Sequence, residues 1–152
     1  MGAAYFYHLT RAPLEEALPR LLEKAIAAGW KVIVRGQDLD RLDWLDQKLW
    51  LLGDESFLPH GQSGGPYDKS QPVLLTTNSE NLNGASCVMT FDGAVVTAEE
   101  VKAAERVCIL FDGHDQSAVQ YARNQWKLLT NAGCAAQYWS EEGGSWLKKA
   151  ES

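Results

Sequence analysis

Arg106-Val107-Cys108-Ile109-Leu110-Phe111-Asp112-Gly113-His114-Asp115 reads as a buried strand running into a tight turn and a helix cap. Val107 to Phe111 is an unbroken apolar run, as in a strand covered on both faces. Asp112-Gly113 turns the chain, and Asp115 is placed to cap a helix reaching about Asn131. Gly133, just beyond, supplies the stop. Ala135 to Trp139 is strand-like again. Strand, helix and strand in that order make a βαβ unit, the connection that parallel neighbours require.

The alternation continues outward from this unit. Thr97-Ala98-Glu99-Glu100 is a capping box opening a short helix. Cys87 to Phe91 and Val73 to Thr76 are strands, separated by a polar stretch with an Asn83-Gly84 turn. Gly53 to Gln71, rich in glycine and proline after Phe57, is expected to be loop. Asp38 caps a second helix whose inner face carries Leu39, Leu42, Leu45, Leu49 and Leu52. Lys31 to Val34 is a buried strand. Leu14 to Ala28 has helical apolar spacing and a Gly29 stop, and Pro19 inside it predicts a kink or fraying before that point. Tyr5 to Leu9 is the first strand, and Ser145-Trp146-Leu147 a short edge. The pattern implies a single domain spanning 1–152. Its fold class is three-layer α/β/α with a mostly parallel sheet, Rossmann-like or P-loop-NTPase-like in architecture.

Composition narrows the function classes. With 152 residues, 45% hydrophobic and 22% charged, the chain is long enough for a core without disulfide or metal staples and too apolar to be disordered. Fourteen Lys and Arg against 20 Asp and Glu leave a net charge of -6, which disfavours a broad nucleic-acid grip. No apolar run approaches a membrane span. Met1 to Tyr5 lacks the basic start of a signal peptide. Cys87, Cys108 and Cys134 are odd in number, without metal spacing, and sit in short apolar runs. They read as buried thiols of a cytoplasmic protein.

Several motifs look catalytic. Gly61-Gln62-Ser63-Gly64-Gly65 matches the G-x-S-x-G elbow of α/β-hydrolases, which would make Ser63 and His60 the residues of a small hydrolase. That elbow needs a strand before it and a helix after it, and Pro59-His60 and Pro66 argue for neither. The serine segment of trypsin-like proteases has aspartate where this chain has Gln62. The turns Arg35-Gly36-Gln37-Asp38 and Phe111 to Asp115 contain no phosphate-cradling motif and place carboxylates where an anion would sit. His8, His60 and His114 are scattered, so neither metal nor cofactor is expected. Asp43 and Asp46, or Glu99 and Glu100, read as solvated helix faces. An enzyme-like scaffold without recognisable chemistry makes binding the better default.

Two constellations suit binding. On the last helix Val119, Ala122, Trp126 and Leu129 share an apolar stripe, with Arg123 at its margin and Lys127 one turn later. An indole beside a cation can hold an apolar side chain and a carboxylate together, although a core tryptophan under a snorkelling arginine has the same spacing. The second is Trp50, which falls off the leucine stripe, together with Phe57 in the loop. Such aromatics either plug the end of a sheet or anchor another protein.

Leu45-Asp46-x-x-Leu49-Trp50, then Ser56-Phe57-Leu58-Pro59-His60, resembles the chi subunit of bacterial DNA polymerase III. So do Tyr5-Phe6-Tyr7-His8-Leu9, Gly29-Trp30-Lys31-Val32, Ala122-Arg123-x-x-Trp126-Lys127 and Ala132-Gly133, in family order along nearly the whole chain. The resemblance implies a non-enzymatic accessory subunit of the replicative holoenzyme. It implies binding of the acidic C-terminal tail of single-stranded DNA-binding protein through Arg123, Trp126 and Lys127, with Lys148 and Lys149 as outlying cations. It also implies that Trp50 and Phe57 face the psi subunit or another clamp-loader subunit, with no direct nucleic-acid or membrane binding. Better-known members carry a basic residue where this chain has Val119, and a more apolar loop where it has Asp112-Gly113-His114-Asp115. Both departures weaken the expected attraction for an acidic tail.

Overall fold

The computed structural model describes residues 2–10, 13–50, 60–66, 68–77, 81–142 and 145–152; the side chains of Trp50, Glu142 and Ser145 fall outside that description. The strands are β1 (Ala3–Leu9), β2 (Val32–Arg35), β3 (Gly61–Gln62), β4 (Val73–Thr76), β5 (Cys87–Thr90), β6 (Arg106–Asp112), β7 (Ala135–Glu142) and β8 (Ser145–Glu151). They form one sheet of order β3-β4-β2-β5-β6-β1-β7-β8. Every pairing is parallel except β7 with β8.

The helices are α1 (Leu14–Ala27), α2 (Leu39–Trp50), α3 (Ala98–Ala103) and α4 (Gln116–Asn131). Strand alternation divides the core between two faces. Tyr7, Val34, Cys108 and Leu110 meet Leu18 and Leu22 of α1 and Leu42, Leu45 and Leu49 of α2. Phe6, Ile33, Ile109 and Phe111 meet Val101 of α3 and Ala122 and Leu129 of α4. Helices on both faces of a mostly parallel sheet make the three layers.

Local chemistry sets the boundaries. The Thr97 hydroxyl accepts from Glu100 N while the Glu100 carboxylate accepts from Thr97 N, a closed capping box. Asp115 Oδ1 accepts from Ser117 N and Ala118 N at the start of α4. Asp38 Oδ1 accepts from Asp40 N at the start of α2. Buried Asn83 donates to Val32 O and Gln71 O, tying its turn to two neighbours. Gly113 must lack a side chain, because a Cβ there would run into the His8 ring while its N–H reaches Leu9 O at 2.7 Å.

Four expectations change. The helix α1 runs unbroken through Pro19, which is buried in its second turn among Leu14, Leu18 and Leu22. A proline there forfeits the bond to Glu15 O and crowds that carbonyl, and the burial of its ring offsets part of the cost. Leu39 is 64% exposed rather than on the inner face, because it occupies the first helical position, off the stripe of Leu42, Leu45 and Leu49. Gly61–Gln62 is a short edge strand beside β4 and Asp68–Ser70 a 3-10 turn, inside the expected loop. β8 extends to Glu151, well past the expected Leu147. Leu52 and the Ser56–Pro59 block lie outside the described residues.

Candidate functional site

α4 sits over β6 and β7, and its sequence sorts its flanks. At 100° per residue, Ala122 and Leu129 point to the sheet, Trp126 lies about 40° to one side, Arg123 about 100° and Lys127 about 140°. The structure follows this order. Ala122 and Leu129 are buried, Trp126 and Val119 half-buried, Arg123 and Lys127 exposed. The Trp126 ring packs edge-on against Phe6, centroids 5.4 Å apart, and against Tyr138 at 6.2 Å. Arg123 and Lys127 make no ion pair among the described residues. The guanidinium is nevertheless felt by the sheet: burial pushes the Tyr138 phenol upward, and the Arg123 charge opposes that shift.

Tyr138 was not singled out from the sequence, yet it completes this flank. Its hydroxyl lies 2.7 Å from His8 Nδ1, which fixes the ring under the helix. Leu147, 44% exposed, stands opposite Ser140 on β8 and by strand parity shares the face of Tyr138. The signal was period-two alternation in Ala136 and Tyr138, but its meaning needed the pairing of β7 with β1. Lys148 is not part of the flank. It is paired with Trp139, on the opposite face, and its ammonium reaches Glu151 at 3.3 Å. A register shift at Tyr138/Trp139 separates the partners of Ala150 and Lys148 and leaves Lys149 between them. The backbone of Trp50 ends α2, while Phe57 lies outside the described residues.

The carboxyl ends of the strands, where α/β sheets hold ligands, form a cleft of about 780 Å³. Its lining includes Glu15, Asp92, Asp112 and Asp115. Asp115 occupies the helix N–H groups that a phosphate would need. Arg41 is already committed, with Nε 2.7 Å from Asp92 Oδ2 and its guanidinium 4.3 Å from the Trp44 ring centre. That carboxylate raises the Arg41 pKa further.

Ser63 and His60 do not face a common reaction. Ser63 Oγ donates to Thr76 Oγ1 at 3.0 Å, whereas the buried His60 ring has Nε2 3.0 Å from Asp46 Oδ1. A two-residue strand does precede Ser63, contrary to expectation, but bends and a turn follow instead of a helix. The three cysteines are buried and unbridged, and a hydrogen bond to Cys87, with burial, raises the Cys108 thiol.

Fold and cleft together define a class: three-layer α/β proteins with a mostly parallel sheet, here with a sequence that holds no phosphate-binding loop. The chain matches the family model described as DNA polymerase III chi subunit, HolC, over residues 1–137. A Rickettsia prowazekii (strain Madrid E) protein described as "Probable DNA polymerase III subunit chi" is 26% identical over 111 residues, covering 70% of this chain and 67% of that one. The chain belongs to the DNA polymerase III chi subunit family, an accessory subunit of the polymerase complex.

Proposed function

We propose that this chain captures the acidic C-terminal tail of single-stranded DNA-binding protein on the outer flank of α4 and links it to the clamp loader. The observation that carries this reading is an exposed Arg123 guanidinium, without an ion pair among the described residues, one turn from a half-buried Trp126. A tail ending in an aromatic residue lays its ring on the shelf of Trp126 and Tyr138 and its terminal carboxylate on Arg123. Lys127 attracts carboxylates further up the tail. The second attachment, to psi or another clamp-loader subunit, runs through Trp50 and Phe57. Neither role requires catalysis, and the protein is read as a connector.

Titration of a fluorescently labelled tail peptide tests the reading. Arg123→Ala removes a central charge-assisted contact of about 2 kcal/mol, or roughly thirtyfold in affinity. Equal affinity for the two proteins would refute tail capture at α4.

A further inference from the structure

On the opposite face of the sheet from α4, a pocket of about 330 Å³ opens between α1 and the strands β5, β6, β1, β7 and β8. Its lining includes Trp30, Trp139, Trp146, Tyr7, Lys24 and Arg106, and no carboxylate among the described residues. In a chain of net charge -6 that is an unusual local balance. Arg106 is held by rings, not by an acid: its guanidinium carbon lies 4.3 Å from the Tyr5 ring centre and 5.3 Å from that of Trp30. A guanidinium held by rings instead of an acid keeps N–H groups that no protein acceptor engages among the described residues. Neither Arg106 nor Lys24 forms an ion pair among the described residues.

The polar inventory points the same way. Tyr7 is only 8% exposed, and its hydroxyl finds no hydrogen-bond partner among the described residues. Burial raises its pKa, so it stays an O–H donor. The indole N–H groups of Trp30 and Trp146 are likewise unpaired there, whereas Trp139 Nε1 donates to Gln137 Oε1 at 3.1 Å. The site thus offers donors and cations set among aromatic walls. Donors that no protein group engages are open to the acceptors of a ligand.

We propose that this pocket is a second binding site, distinct from the α4 flank, for a single carboxylate carried on a flat apolar body. The carboxylate accepts from Arg106 and Tyr7, with Lys24 nearby, and the ring lies among the three indoles. A volume of this order suits one aromatic amino-acid residue. The overall negative charge opposes a polyanion but tolerates one carboxylate. This chemistry is shared by a small aromatic acid and by the last residue of a polypeptide. The proposal does not rest on tail capture at α4.

Titration of the full-length protein with N-acetyl-L-phenylalanine, followed by tryptophan fluorescence and by the indole N–H signals in ¹H–¹⁵N spectra, tests it. The expected result is saturable quenching with shifts of the Trp30 and Trp146 indole signals, and at least tenfold weaker binding of the carboxamide. Arg106→Gln is expected to lower affinity at least tenfold and Lys24→Ala severalfold, while Arg123→Ala changes nothing. Thermal unfolding of each variant checks that it is folded, and the exposed Lys24 serves should Arg106→Gln fail to fold. A peptide ending in phenylalanine separates the two sources: tighter binding than the free acid assigns a chain terminus, and equal binding a small acid. No saturable binding, equal binding of the carboxamide, tighter binding of AMP, or shifts confined to Trp126 would overturn the assignment.

Discussion

Trp126 on α4 stands edge-on to Tyr138 on β7, with ring planes at 74°. Phe6 meets the same indole at 63°. The ring that would receive a ligand is therefore wedged between a helix and the sheet before any ligand arrives. A shelf fixed in this way lowers the entropy lost on binding.

The wedge separates two residues that a simple dock would treat alike. Trp126→Ala should weaken tail binding at least tenfold and also remove about 2 kcal/mol of stability, because a half-buried aromatic leaves a cavity. Arg123→Ala, at an exposed position, should change stability by no more than about 0.5 kcal/mol. Peptide titration beside urea unfolding of both variants decides this. Destabilisation by Arg123→Ala as large as that of Trp126→Ala would show the guanidinium to be a structural clamp instead.

Glu100 performs two tasks at the start of α3. Its Oε1 accepts from Thr97 N at 3.2 Å, and its Oε2 lies 2.8 Å from Arg35 Nη2, where Arg35 is 3% exposed and also donates to Val95 O. Losing a buried charge partner outweighs losing a surface cap. Glu100→Gln is expected to remove about 2 kcal/mol and Thr97→Ala about 1 kcal/mol. Denaturant midpoints of the two variants and of their combination measure both values and their coupling. A loss in Glu100→Gln no larger than in Thr97→Ala would mean that the ion pair stabilises no more than the cap does.

Features with local causes were legible in the sequence. The Thr97–Glu100 box, the Asp115 cap and the Gly29 and Gly133 stops each depend on residues within one or two turns. The margin position of Arg123 followed from helical period alone. What was not legible depends on pairing across the sheet. Beyond Leu147, β8 is mostly polar and is paired only with β7, so its length has no local signature. The family resemblance groups Lys148 with the cations expected to meet a tail, but strand parity around a register shift puts it on the other face. The Arg35–Glu100 pair joins residues far apart in the chain, and the cation-and-indole pocket under α1 collects six separate segments. No periodicity in one segment announces either.

The G-x-S-x-G stretch invites a direct check of hydrolysis. Ser63 Oγ donates to Thr76 and the His60 ring faces Asp46, so among the described residues no base is seen paired with the serine. Ser63→Ala is expected to leave any turnover of short-chain nitrophenyl esters unchanged and to cost at most about 1 kcal/mol through the lost hydrogen bond. A Ser63-dependent rate that also falls in His60→Ala would restore the hydrolase reading.

Tyr7 should make the protein sensitive to alkali. Burial holds its phenol well above the ordinary value of 10.0. The unfolded chain ionises this phenol near pH 10 while the folded chain keeps it neutral, so the contribution to stability is whole below that pH. Above it, the contribution is lost at up to about 1.4 kcal/mol per pH unit, because the unfolded state sheds a proton that the folded state retains. Tyr7→Phe removes that slope. It should leave stability at neutral pH unchanged or slightly higher, since the hydroxyl has no hydrogen-bond partner among the described residues to lose. Urea midpoints at pH 7, 9, 10 and 11 read both effects. An alkaline slope as steep in Tyr7→Phe as in the parent would mean that the folded protein lets this phenol ionise at its ordinary pH.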